Sequence, residues 1–177
     1  GRYSTQGSAS CSECLPGTFT ATVGTATCTP CGPGTYTSYY GSTSCSPCSS
    51  GFVTNSNATA CVKCSLGSIV STDKSKSIEC TPGTYQLNNE CVQCNAGSYS
   101  NTYSATACTL CPEGTYLSAR GLNSASACLP CPAGSFAKAG SSEYTLCPVG
   151  TYAPTEKSGS CIPAAPSTFI TQPGATN

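Results

Sequence analysis

Large apolar residues in this 177-residue chain are sparse, and many stand at fixed offsets from cysteines. The recurring string is C-x-x-C-x-x-G-[T/S]-[Y/F], followed by a polar stretch rich in Ser, Thr and Ala. Three residues after each second cysteine comes a glycine, from Gly17 and Gly34 through to Gly134 and Gly150. Two residues further on comes the bulky apolar position, filled by Phe19, Tyr36, Val53, Ile69, Tyr85, Tyr99, Tyr116, Phe136 or Tyr152. No stretch shows a helical apolar period. A glycine preceded by proline (Pro16, Pro33, Pro82) suits a type II turn, and the β-prone Thr-Tyr or Ser-Phe pair after it suits a short strand. The pattern predicts a small disulfide-rich fold, mostly β or irregular. It would be an elongated tandem array of about ten units of roughly 17 residues with short β-hairpins and almost no helix.

The cysteines give the same frame. Seven C-x-x-C pairs are intact, beginning at Cys11, Cys28, Cys45, Cys61, Cys91, Cys108 and Cys128. Cys80 and Cys147 are second cysteines whose first partners are Ser77 and Tyr144, and Cys161 is a first cysteine whose second is Ala164. Ser77 and Tyr144 lie four units apart, which suggests a four-unit super-repeat. The expected organisation is a partial repeat over 1–10, units one to four over 11–76, units five to eight over 77–143, and degenerate units nine and ten over 144–177.

Composition says what must hold such units together. Leu, Ile, Val and Phe number 22 of 177 residues, too few for an ordinary core. A disulfide closing a loop of about 15 residues contributes roughly 3 kcal/mol, mainly by restricting the unfolded chain. Zinc is the rival reading, because Cys11-x2-Cys14-x13-Cys28-x2-Cys31 has acceptable ribbon spacing. Histidine is absent, however, and single cysteine losses leave the frame intact. A thioredoxin-like C-x-x-C would need a βαβ context that this pattern lacks. No metal or other cofactor is expected, and oxidised cysteines imply an extracellular or secretory setting.

The simplest closure joins the second cysteine of one pair to the first of the next: Cys14–Cys28, Cys48–Cys61, Cys80–Cys91, Cys111–Cys128 and Cys147–Cys161. Two schemes share these five bonds. A serial scheme adds Cys31–Cys45 and Cys94–Cys108. A nested scheme adds Cys11–Cys31, Cys45–Cys64 and Cys108–Cys131, leaves only Cys94 unpaired, and makes the residues lost at Tyr144 and Ala164 former partners. Nesting is preferred, and a crossed pattern stays open, since spacing does not fix connectivity.

Seven basic and seven acidic residues cancel, so nothing suggests a nucleic-acid partner. No apolar run is long enough to cross a bilayer. Without histidine, with scattered carboxylates and no phosphate-binding loop, no acid–base pair or triad is expected, and an enzyme is not. Ser and Thr total 53 residues, which suits turns and covalent glycans. Asn57-Ala58-Thr59 is the N-glycosylation sequon, placed in the variable loop of its unit. The chain begins and stops partway through a repeat. Repeat arrays expose apolar side chains at such ends, here Tyr3, Phe169 and Ile170, and head-to-tail packing of copies would cover them. The expectation is a helical homopolymer with these three residues as assembly contacts.

Cys31-Gly-Pro-Gly-Thr-Tyr36, Cys80-Thr-Pro-Gly-Thr-Tyr85, Cys111-Pro-Glu-Gly-Thr-Tyr116 and Cys131-Pro-Ala-Gly-Ser-Phe136 resemble the ephrin-receptor-like cysteine-rich repeat. The array is also similar to C-x-x-C-rich surface antigens of ciliates and diplomonads, and to repeats of flagellar-hair (mastigoneme) proteins. The resemblance implies a secreted or cell-surface setting and a role as spacer, adhesive surface or coat. Two readings follow: a structural subunit of an extracellular filament or surface coat, and the stalk or ligand-binding ectodomain of a receptor or adhesin.

Overall fold

The structure, a computed structural model, describes residues 1–177. Regular structure is almost wholly β, with twenty strands of two to four residues and one 3-10 turn, Ala125–Ala127. Each strand pairs antiparallel with its sequence neighbour, so ten two-stranded hairpins follow one another. The chain groups into two compact units, Gly1–Glu79 and Cys80–Asn177.

The first unit holds five hairpins. They pair β1 (Arg2–Tyr3) with β2 (Ser12–Glu13), β3 (Thr18–Phe19) with β4 (Thr29–Pro30), and β5 (Thr35–Tyr36) with β6 (Ser46–Pro47). The fourth joins β7 (Phe52–Thr54) to β8 (Cys61–Lys63), and the fifth joins β9 (Ser68–Val70) to β10 (Ser77–Glu79). The second unit opens with the longest hairpin, β11 (Thr84–Leu87) and β12 (Glu90–Gln93). Its two-residue turn places Asn88 and Asn89 at φ 50° and 64°, the left-handed pair that a type I′ turn requires. The remaining four join β13 (Ser98–Tyr99) to β14 (Thr109–Leu110), β15 (Thr115–Tyr116) to β16 (Leu129–Pro130), β17 (Ser135–Phe136) to β18 (Thr145–Leu146), and β19 (Thr151–Tyr152) to β20 (Ile162–Pro163).

Each hairpin starts from the turn that the motif encodes. At Leu15-Pro16-Gly17-Thr18, the Thr18 amide donates to the Leu15 carbonyl at 3.0 Å, with Gly17 at φ +83°. The Thr18 hydroxyl donates to the same carbonyl at 2.7 Å. Thr115 does likewise to Pro112, and Ser135 to Pro132, at 2.7 and 2.6 Å. Thr or Ser after the glycine is therefore a second latch on the turn. At the equivalent Ser68 the hydroxyl is buried without a partner.

Within each unit, backbone hydrogen bonds tie hairpins to those that follow. The Cys111 amide donates back to the Gly97 carbonyl at 2.9 Å, and the Gly97 amide donates forward to Leu117 at 2.7 Å. The Gly140 amide, in the loop of the ninth hairpin, reaches the carbonyl of Cys111 at 2.9 Å. The same three links recur in the second unit, for example from Cys147 to Gly134, Gly134 to Ala153 and Gly174 to Cys147. Contacts extend beyond the adjacent repeat. A Cβ on Gly97, in the seventh hairpin, would collide with the carbonyl of Gly140 in the ninth, and one on Gly17 with Asn57 two hairpins on. The glycine is thus needed twice, for its positive φ and because a loop two repeats away lies on it.

The core is largely cysteine. Of the buried apolar residues, Cys14, Cys48, Cys80, Cys94, Cys111, Cys131 and Cys147 are at most 2% exposed, joined by Val53, Ala105, Leu117, Ala137 and Ala153. Seven disulfides link Cys14–Cys28, Cys31–Cys45, Cys48–Cys61, Cys80–Cys91, Cys94–Cys108, Cys111–Cys128 and Cys147–Cys161. The pairing is serial, which corrects the nested expectation. Cys11–Cys31, Cys45–Cys64 and Cys108–Cys131 do not form, and Cys94 is bonded rather than unpaired. The reason is local. The second cysteine of a pair opens a hairpin and the next first cysteine closes it, which brings their Cα atoms to 5.4–5.8 Å. A nested bond would have to skip an intervening hairpin. Tyr144 and Ala164 are not former partners on this scheme, because Tyr144 occupies the position that would close on Cys131.

Candidate interaction surface

Three hairpins lack their staple and leave Cys11, Cys64 and Cys131 as free thiols. Each has another tie in place. In the first hairpin, an Arg2 guanidinium nitrogen lies 2.7 Å from the Glu13 carboxylate, an exposed pair of small energetic weight. In the fifth, Asp73 accepts from the hydroxyls of Ser71 and Ser75 and from the Ser75 amide, at 2.7, 2.8 and 3.1 Å. The Ser71 hydroxyl bond, followed by the Ser75 amide and hydroxyl, lowers the Asp73 pKa from 3.8 to about 2. Its neighbour Lys74 anchors the same loop by donating from Nζ to the Cys48 carbonyl at 2.7 Å. The ninth is tied to the eighth hairpin instead: Tyr144 meets Tyr116 edge-on, with ring centroids 5.2 Å apart at 69°. There the buried Cys131 thiol lies within 3.7 Å of the Ser135 carbonyl and 3.4 Å of that of Ser158.

Between hairpins, the repeat aromatic bounds a groove. In the first unit an open groove of about 380 Å³ is lined by Tyr36, Ser38, Pro47 and Ser49 on one side and Phe52, Thr59, Ala60 and Cys61 on the other. A smaller one of about 230 Å³ runs between Tyr3 and Leu15, Thr18, Thr27 and Cys28. The two are the same site in different repeats. Tyr3 matches Tyr36, Leu15 matches Ser49, Thr18 matches Phe52, Thr27 matches Ala60 and Cys28 matches Cys61. In that frame Tyr144 stands where Cys28 and Cys61 stand, and its ring is the one laid against the repeat aromatic Tyr116.

The other sequence-singled residues are dispersed. Tyr3 is half-buried and pairs across its hairpin with Ser12. Phe169 is 89% exposed, whereas Ile170 is partly covered and its carbonyl accepts from the Gly150 amide at 3.0 Å. Asn57 is exposed in a turn of the fourth hairpin loop, where Asn55 accepts from the Thr59 amide at 2.9 Å. The grooves were not singled out from sequence. Their signal was the aromatic position itself.

A chain of consecutive hairpins, seven of the ten closed by their own disulfides, defines a cysteine-rich repeat array of the extracellular type. The chain belongs to the family described as tyrosine-protein kinase ephrin type A/B receptor-like, which it matches over residues 1–48, 83–128 and 134–177. It is also 30% identical over 98 residues to the rat (Rattus norvegicus) "Sushi, von Willebrand factor type A, EGF and pentraxin domain-containing protein 1". That match covers 53% of this chain and 3% of the relative's length. No helix is long and apolar enough to cross a membrane.

Proposed function

We propose that this chain is a non-catalytic structural element of an extracellular filament or surface coat, with copies associating head to tail. The observation that carries the reading is the recurrence of one set of backbone hydrogen bonds from hairpin to hairpin within each unit, seven hairpins being closed by their own staples. Such an array presents the same groups at a regular interval, which is what a spacer or coat subunit needs. Uncharged, hydroxyl-rich loops suit covalent glycans, and exposed Asn57 is the proposed N-linked site. The test is electron microscopy of the oxidised protein, purified from a secretory host. Periodic polymers are expected, together with a mass at Asn57 that peptide-N-glycosidase removes. Discrete particles at every concentration would sink the filament.

A second reading has support from the rat relative, whose name combines several extracellular domain types. On that reading the array is a stalk or adhesive segment within a larger multidomain protein. Discrete, unpolymerised particles carrying the same seven disulfides would favour it.

A further inference from the structure

We propose that two copies of this chain pair side by side about a two-fold axis, Tyr39 and Tyr40 of each copy seating in the Tyr36–Phe52 groove of the other. The chain itself shows what fits such a groove: where the position equivalent to Cys61 is a tyrosine, its ring packs against the repeat aromatic. At Tyr36 and Phe52 that ring is missing and the groove stands open. In the same unit Tyr39 and Tyr40 project from the third hairpin loop, 77% and 64% exposed. Tyrosine is a frequent anchor of protein interfaces.

Geometry favours a second copy as the occupant. The groove wall includes Ser38, and Tyr39 is the next residue, so projection and groove lie side by side on one surface. A patch that carries both is self-complementary, and a two-fold axis lets two copies exchange the contact reciprocally, forming a closed, isologous pair. The tyrosines are also held ready. The Thr37 and Ser42 hydroxyls meet at 2.6 Å, and Ser42 donates to the Tyr39 carbonyl at 2.9 Å. A loop fixed in this way loses little freedom on docking. Neither the groove lining nor residues 37–45 include a charge, so like-charge repulsion does not oppose the contact. The pair is lateral and does not depend on the head-to-tail reading above.

Sedimentation velocity of the oxidised chain across a concentration series tests this, with Tyr39→Ser/Tyr40→Ser as the variant. Both side chains face solvent, so disulfide content and circular dichroism are expected to match the parent. The parent should dimerise, and the variant should do so about 30-fold more weakly or worse. Ala60→Trp, which fills the groove from its own wall, should have the same effect. A parent monomeric throughout, or a dimer indifferent to both variants, overturns the proposal. So does a monomeric parent whose Tyr36 and Phe52 resonances shift on adding cellohexaose, which would assign the groove to a glycan.

Discussion

At the scale of single residues, the groups in the three hairpins without disulfides are the most exposed to test. Asp73 is held near a pKa of about 2 by hydroxyl and amide donors. Because the folded value lies below the unfolded one, its contribution is fully present above about pH 4 and is lost as pH falls through about 2. The Ser75 amide resonance should titrate with that low midpoint, and Asp73→Asn should abolish the step; a midpoint at the ordinary carboxylate value would remove the loop's organising role. The free thiols differ in access, Cys11 being exposed, Cys64 intermediate and Cys131 buried. Alkylation of the native protein, followed by mass spectrometry, should label them in that order, with Cys131 reacting only after unfolding. The turn chemistry was legible in the sequence, since Gly17 and Thr18 have purely local reasons to be what they are. The ring of Tyr144 was not, because its partner Tyr116 is 28 residues away and no short-range pattern links them.

At the scale of the hairpin, spacing showed that strands and staples exist without deciding how the staples connect. Nested and serial schemes share five bonds, and the choice between them lies in which cysteine faces into its own hairpin, as Cys31 does toward Cys45. The serial rule leaves Cys64 opposite Ser77. Ser77→Cys should therefore form an eighth disulfide, raising stability by about 2–3 kcal/mol. Intact mass and thiol counting would show two free cysteines, Cys11 and Cys131, where the parent has three, and four would refute the register. The contact between hairpins two apart was invisible in sequence, because glycine at φ +82° already accounts for Gly97. Gly97→Ala meets both left-handed strain and the Gly140 carbonyl, whereas Gly51→Ala, at φ +80°, has nothing within 4 Å. Denaturant unfolding should show a cost of about 1 kcal/mol for Gly51→Ala and at least about 2 kcal/mol more for Gly97→Ala. Equal costs would mean that the loop two repeats on adds nothing.

At the scale of the whole chain, serial stapling has a mechanical consequence. Pulled from its ends with disulfides intact, the chain bears load through sulfur bridges and the two-residue links inside each C-x-x-C, and the loops stay slack. Between Cys14 and Cys28 the tether spans a Cα separation of 5.7 Å, although the two lie 14 positions apart along the backbone. Stretched out, that segment would reach roughly 45–50 Å. Each closed hairpin is therefore a short link holding roughly 40 Å of slack in reserve. Hairpins five and nine, with Cys64 and Cys131 unbonded, can give up length without bond cleavage. Single-molecule stretching should find a nearly inextensible tether with only a few early lengthening steps, and a reductant should release one further step per staple. Full extension without reductant would mean that the bridges do not carry the load. A fibre of such links stretches little in an oxidising medium and lengthens when reduced, so its compliance follows the redox state of its surroundings.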